Sequence, residues 1–269
     1  MPEGPEIRRA ADRVARAVAG RAPDEVFFAF PHLKPYSEEL RQRGVSRVET
    51  RGKAMLTWFA DDLVVYSHNQ LYGRWITRRS NKTPESNRSL RFAVRTPKGS
   101  AFLFSASEIE VLEAAQVESH PFLKKLGPDP LAGASARDLR GHFRAFEGRQ
   151  LGGLLLDQSF VAGMGNYLRS EILFDARLLP WNRLRDLSEE QRRALATSIG
   201  RITKRSYRTG GITVPKAMAE AAKRDGEPRR RYRHYVFARA HEACRVCGTP
   251  IEKETVAGRR LYWCPECQR

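Results

Sequence analysis

Met1-Pro2-Glu3-Gly4-Pro5-Glu6 opens the chain with an amine and a carboxylate side by side. Met1 precedes a small residue, so its removal is expected, leaving the secondary amine of Pro2 as the free N-terminus. Such a nitrogen is a strong nucleophile that forms an iminium with an aldehyde-like carbon. Glu3 is placed to give or take a proton. Taken alone, the same six residues also read as an ordinary flexible terminus. A second group lies at the far end. Cys244-x-x-Cys247 and Cys264-x-x-Cys267, with 16 residues between the pairs, have the spacing of a tetrahedral four-thiolate zinc site on a β-hairpin. Four protein ligands leave no open position for water, so the ion would be structural. Two redox dithiols or disulfides are the alternative, disfavoured by the compartment argued below. The hairpin tip, Val256-Ala257-Gly258-Arg259-Arg260, offers an arginine to a phosphate, or is a solvated turn. A third group is Val161-Ala162-Gly163-Met164-Gly165-Asn166-Tyr167, a glycine-rich turn before a helix that Asn166 begins. The N–H groups of that helix start, with the Asn166 side chain, suit a DNA phosphate. A core helical hairpin with Asn166 as a plain N-cap fits equally well.

The elements that must hold these groups follow from periodicity. Pro5 suits a first helical turn, Ile7, Ala10, Ala11, Val14 and Val18 recur at helical spacing, and Gly20 is a stop. Short β-branched and aromatic runs then predict strands at 26–30, 47–50, 54–59, 63–67, 74–77, 90–95 and 101–105. Asp61-Asp62 and Pro97-Lys98-Gly99 read as tight turns, and 78–89 as an exposed loop. A short helix is expected over 107–125. Helices are expected over 135–146, 150–156, 166–176 and 188–205, the last with a Ser188/Gln191 capping box. Residues 208–231 read as a basic loop. The fold class is α+β with two domains: an N-terminal β-sandwich with a leading helix, and a C-terminal helical domain bearing the zinc hairpin. Boundaries are expected at 1–126, a hinge at 127–133 around Gly127-Pro128-Asp129-Pro130, a helical domain at 134–232 and the finger at 233–269.

Composition narrows the class. The 269 residues carry a net charge of +17. Residues 1–120 hold 19 Lys and Arg against 15 Asp and Glu, whereas 121–269 hold 29 against 16. The excess therefore sits in the second half and points to a nucleic-acid face there. No long apolar run or amphipathic basic tail supports a membrane partner. The N-terminus lacks the apolar segment of a signal peptide, so a cytoplasmic protein is expected.

Together the three groups resemble the formamidopyrimidine-DNA glycosylase and endonuclease VIII family over almost the whole chain. Met1-Pro2-Glu3-Gly4-Pro5-Glu6-Ile7 and Gln70-Leu71-Tyr72 look like the bacterial endonuclease VIII branch. The resemblance implies a helix–two-turn–helix domain and a bifunctional DNA glycosylase and abasic-site lyase of base excision repair. It would act on oxidised pyrimidines by β,δ-elimination through a Schiff base. Pro2 would be the nucleophile and Glu3 the acid. Lys53, otherwise a charged hairpin turn, would contact phosphate and serve β-elimination. Asn166 and Arg259 would grip phosphates, with Arg259 assisting δ-elimination. Gln70, Leu71 and Tyr72 would fill the space left by the flipped nucleotide, and Glu6 would support the site from the first helix. Lys125 stands where the branch tends to have an arginine, keeping charge but losing bidentate geometry. The implied partners are double-stranded DNA with oxidised bases or abasic sites and no membrane. The implied protein is a nucleoid-associated bacterial monomer with one structural zinc and no catalytic cofactor. Two alternatives stay open: an oxidised-purine glycosylase of the same family, and a non-catalytic zinc-finger protein that senses damage.

Overall fold

The computed structural model describes residues 2–269; the expected loss of Met1 lies outside the described residues. The chain divides into two compact units, one of Glu6–Lys125 together with Pro2, the other of Leu126–Arg269 together with Glu3–Pro5.

The first unit holds helix α1 (Gly4–Val18), from Glu6 onward, and α2 (Tyr36–Arg43), which was not predicted. Its strands are β1 (Glu25–Phe28), β2 (Val45–Arg51), β3 (Ala54–Phe59), β4 (Leu63–His68), β5 (Arg74–Arg78), β6 (Leu90–Thr96), β7 (Gly99–Phe104) and β8 (Glu108–Glu113). They form two antiparallel four-stranded sheets, β1-β6-β7-β5 and β2-β3-β4-β8. Ile7, Val14 and Val18 of α1 share one core with Phe28, Phe92 and Leu103 of one sheet and Met55, Phe59 and Val65 of the other. The 3.6-residue period of α1 and the alternation of the strands thus meet in a single apolar layer.

One expectation fails here. Residues 107–125 are not a helix: β8 pairs with β4 from Leu63↔Glu113 to His68↔Glu108, and short 3₁₀ turns follow at Ala114–Gln116 and Leu123–Lys125. Glu, Leu and Ala favour helix locally, but the open edge of β4 needs a partner, and Ile109 buries into the sheet core.

The second unit is built around α5 (Asn166–Asp175), with α3 (Ala136–Phe143), α4 (Leu151–Leu154) and α6 (Glu189–Thr209). Its helix α5 has eight of ten residues buried, so it is an interior helix rather than a surface one. The Ser188/Gln191 capping box is present, and α6 closes on Gly210 in the left-handed region at φ 70°. The predicted loop at 208–231 is largely helical: α7 (Lys216–Arg224) and α8 (Arg229–Tyr232) each start just after a proline. Gly and Pro punctuation hid an alanine-rich segment whose Ala219 and Ala222 pack on Val214 and Tyr232. The chain ends in the antiparallel hairpin β9 (Glu252–Val256) and β10 (Arg259–Trp263). Ala257 and Gly258, both at positive φ (53° and 68°), make its two-residue turn. Among the described residues no helix is long and apolar enough to cross a membrane.

Candidate nucleic-acid interface and metal centre

In the second unit the Glu3 carboxylate is 4% exposed and sits on the start of α5. It accepts hydrogen bonds from Tyr167 N (2.9 Å) and Leu168 N (3.2 Å). Charge-assisted bonds to free helix-start N–H groups, aligned with the helix dipole, make this a favourable seat for an anion. Those amides were expected to face a DNA phosphate; they are taken by the chain's own carboxylate instead. The glycines around them explain the close approach. A Cβ on Gly165 would fall 2.3 Å from Glu3 Cδ, and one on Gly4 would fall 3.1 Å from Gly163 Cα. Gly4 N also donates to Gly163 O at 2.8 Å. Asn166 is the first helical residue, not the cap, and its buried side-chain Oδ1 has no hydrogen-bond partner.

Two further residues of α5 were missed from sequence. Arg169 is fully buried and donates to four carbonyls: Gly152 (2.9 Å) and Val256 (3.1 Å) through Nη1, and Arg259 (3.1 Å) and Arg260 (2.9 Å) through Nη2. Burial pushes its guanidinium down to about 10, Glu3 opposing and the charge of Arg259 adding to the effect, so it stays protonated at neutral pH. Glu171 is also fully buried and accepts from the successive amides of Tyr235 (2.8 Å), Val236 (2.9 Å) and Phe237 (2.9 Å), and from Thr213 Oγ1 (2.5 Å). The sequence carried one signal for both: two charges, on either side of Ser170, set between the apolar Tyr167-Leu168 and Ile172-Leu173-Phe174. Their placement leaves the Arg259 side chain exposed on a hairpin tip that is fixed through its backbone.

The four cysteine sulfurs lie within 4.8 Å of one another, with Cys244–Cys267 at 3.8 Å and Cys247–Cys264 at 3.4 Å. Zinc–sulfur bonds of about 2.3 Å in a tetrahedron set sulfurs about 3.8 Å apart, so the cluster fits a zinc ion held by Cys244, Cys247, Cys264 and Cys267.

In the first unit, Pro2, Glu6, Leu71 and Tyr72 line an open hollow of about 500 Å³ together with Arg13, Arg74 and Arg88. Leu71 and Tyr72 are 59% and 68% exposed, an unusual use of large apolar residues. They stand on the tight β4–β5 turn, in which Gly73 N donates to Asn69 O at 2.7 Å. A Cβ on Gly73 would fall 2.5 Å from that oxygen, so only glycine fits. Gln70 precedes them in the left-handed region at φ 49°, which for a residue with a Cβ costs about 1–2 kcal/mol. Lys53 lies in the β2–β3 turn after Gly52, itself at φ 59°. The imidazole of nearby His68 is held below its usual range by burial; Glu108 opposes this and Lys53 adds to it. Lys125 is exposed at the end of the 3₁₀ turn Leu123–Lys125, at whose start the Phe122 and Leu123 amides donate to His120 Nδ1 at 3.3 and 3.4 Å.

The formamidopyrimidine-DNA glycosylase N-terminal domain matches residues 1–106, the formamidopyrimidine-DNA glycosylase H2TH domain residues 126–217, and the zinc finger found in FPG and IleRS residues 242–269. Proteins named Endonuclease 8 from Salmonella arizonae and Salmonella typhimurium are each 45% identical over 272 residues, covering 100% of this chain and of their own. The chain belongs to the formamidopyrimidine-DNA glycosylase and endonuclease 8 family. Solved structures of this glycosylase family share its fold. A Lactococcus lactis Fpg complex with abasic-site DNA has a TM-score of 0.79 at 23% identity over 99% of both chains. MutM with carbocyclic 8-oxo-G DNA has a TM-score of 0.80 at 23% identity over 100% of both. As a family member the chain is a DNA-repair enzyme, a DNA glycosylase and abasic-site lyase.

Proposed function

We propose that the enzyme removes oxidised pyrimidines from duplex DNA and then cuts the strand by β,δ-elimination through an iminium on Pro2. One observation carries the reading: Glu3, the residue after the amine, is a buried carboxylate seated on helix-start amides, in a chain 45% identical over its full length to proteins named Endonuclease 8. A carboxylate held this way is preorganised for proton transfer.

In this reading the damaged nucleotide is extruded, since its atoms are out of reach within the stack. Lys53, Asn166 and Arg259 hold backbone phosphates, with Lys125 a further cation at the backbone. Leu71 and Tyr72, beside Gln70, replace the lost stacking. Glu6 supports the site from α1. Pro2 nitrogen attacks C1′, Glu3 takes the proton that the nitrogen sheds and delivers it to the sugar ring oxygen as the ring opens, and the base departs. The iminium acidifies the C2′ proton; its loss expels the 3′ phosphate, and a second elimination, assisted by Arg259, expels the 5′ phosphate. A water nucleophile would stop at the abasic site, so the amine accounts for the lyase step. The amine must be neutral to attack, and a reference α-amine titrates near ~7.7–8.0. One zinc ion, held by the four cysteines, would brace the hairpin and take no part in these steps. An amine and an acid suffice for them without a further cofactor.

Borohydride trapping on a duplex with one abasic site tests the mechanism. The mature protein should give a covalent adduct that maps to the N-terminal peptide, and a form retaining Met1 should give none. Tight binding without an adduct would favour a damage-sensing protein. A panel of single-lesion duplexes tests the substrate: faster release of 8-oxoguanine than of thymine glycol would reverse the assignment.

A further inference from the structure

Gln70 holds a left-handed backbone that a side chain disfavours, in a turn whose next two residues are the exposed Leu71 and Tyr72. Two contacts keep it there. Its N–H donates to His68 Nδ1 at 3.1 Å, and its side-chain Nε2 donates to Glu108 Oε2. Glu108 is the first residue of β8 and lies opposite His68, the last of β4. Its other oxygen, Oε1, accepts from the hydroxyl of the fully buried Tyr66 at 2.8 Å. One carboxylate therefore joins a rigid strand to the tip of the turn, one oxygen to each. A carboxylate only accepts, so it also dictates which end of the Gln70 amide faces it. Strained backbone persists where surroundings over-determine it, and such places gather at functional turns.

We propose that Glu108 is a positioning residue for nucleotide extrusion: through Gln70 it fixes the turn so that Leu71 and Tyr72 are already set to enter the duplex. The inference rests on the activity proposed above. Ordering this turn in advance removes a conformational cost from the extruded state, in which the void must be filled. It has no bearing on a substrate without a void, such as an abasic site in single-stranded DNA.

The test is a double-mutant cycle read by single-turnover kinetics. Glu108→Ala should slow excision from a lesion duplex roughly tenfold, while cleavage of a single-stranded abasic site keeps its wild-type rate. In a Gln70→Ala background the same change should add no more than about twofold, because its route is already gone. Glu108→Asp should recover part of the duplex rate. Excision by Glu108→Ala at the wild-type rate overturns the proposal. So does an equal loss in the Gln70→Ala background, which would mean that the carboxylate acts through Tyr66 and the strand. A wild-type protein inert on both substrates would overturn the activity, and this inference with it.

Discussion

Arg169 donates through Nη2 to the main-chain carbonyl of Arg259 at 3.1 Å, from a helix position with no solvent exposure. One arginine thus fixes the backbone of another that is free to reach outward. A buried guanidinium is costly unless its donors are used; four carbonyls take up the two Nη groups, and only Nε is left without a partner.

Arg169→Met should therefore cost about 3 kcal/mol or more, since it strands several buried acceptors at roughly 1–3 kcal/mol each. The melting temperature should fall by several degrees and abasic-site DNA should bind more weakly, while the zinc content stays that of the wild type. Arg169→Lys should rescue only part, because one ammonium cannot span four carbonyls. An Arg169→Met protein with unchanged melting and unchanged DNA affinity would refute the latch.

Gly165→Ala puts a methyl group where the Glu3 carboxylate sits, 2.3 Å from its Cδ. The carboxylate must leave the amides of Tyr167 and Leu168. If it is the acid of base release, excision should drop by about 10²-fold or more, in the range of lost acid catalysis. Cleavage of a preformed abasic site, which skips base departure, should suffer less. Equal losses on both substrates would assign Glu3 a different role.

The imidazole of His68 should titrate below the ordinary value of about 6.5, because burial dominates its environment. Removing a charge tells the sign. Glu108→Gln takes away an influence that favours the imidazolium and should move the midpoint lower; Lys53→Met takes away an opposing cation and should move it higher. The folded state holds its proton less readily than the unfolded one, so the stabilisation is present above about pH 6.5 and is lost as pH falls through the folded value. Below that point Nδ1 can no longer accept from Gln70 N. An NMR titration of the ring protons measures all three midpoints, and a midpoint above 6.5 in the wild type would contradict the burial.

Chelation should free the β9–β10 hairpin, because a four-thiolate site contributes its binding energy to folding. Metal analysis should give one zinc ion per chain. Loss of the ion should weaken abasic-site DNA binding at least roughly tenfold, the worth of one charge-assisted phosphate contact. The sheets of the first unit should keep their circular dichroism. Unchanged affinity after complete removal would mean that Arg259 does not need the braced hairpin.

The elements read correctly from sequence were those decided locally. Seven strands and α1 showed their own periodicity, and the four cysteines lie in two short pairs. The failures were decided at a distance. Glu108–Glu113 is a strand because β4, more than forty residues earlier, offers an edge. Lys216–Arg224 is a helix because its alanines find Val214 and Tyr232. At the site, Pro2 and Glu3 stood out by type. That Glu3 would occupy the α5 amides, 164 residues along the chain, did not. Arg169 and Glu171 escaped for the same reason, as nearly all their partners are backbone groups, up to 91 residues away.

Glu171 grips the amides of 235–237, and Arg169, two residues earlier, grips carbonyls of 256, 259 and 260. The entry to the cysteine-bearing segment and the hairpin tip at its middle are both moored to one helix. That segment is therefore not a portable module, although four cysteines on a hairpin look like one. A graft of residues 238–269 onto another scaffold would carry the metal but neither mooring, and its arginine tip would swing. A transplant that keeps the tip in register has to bring α5 with it.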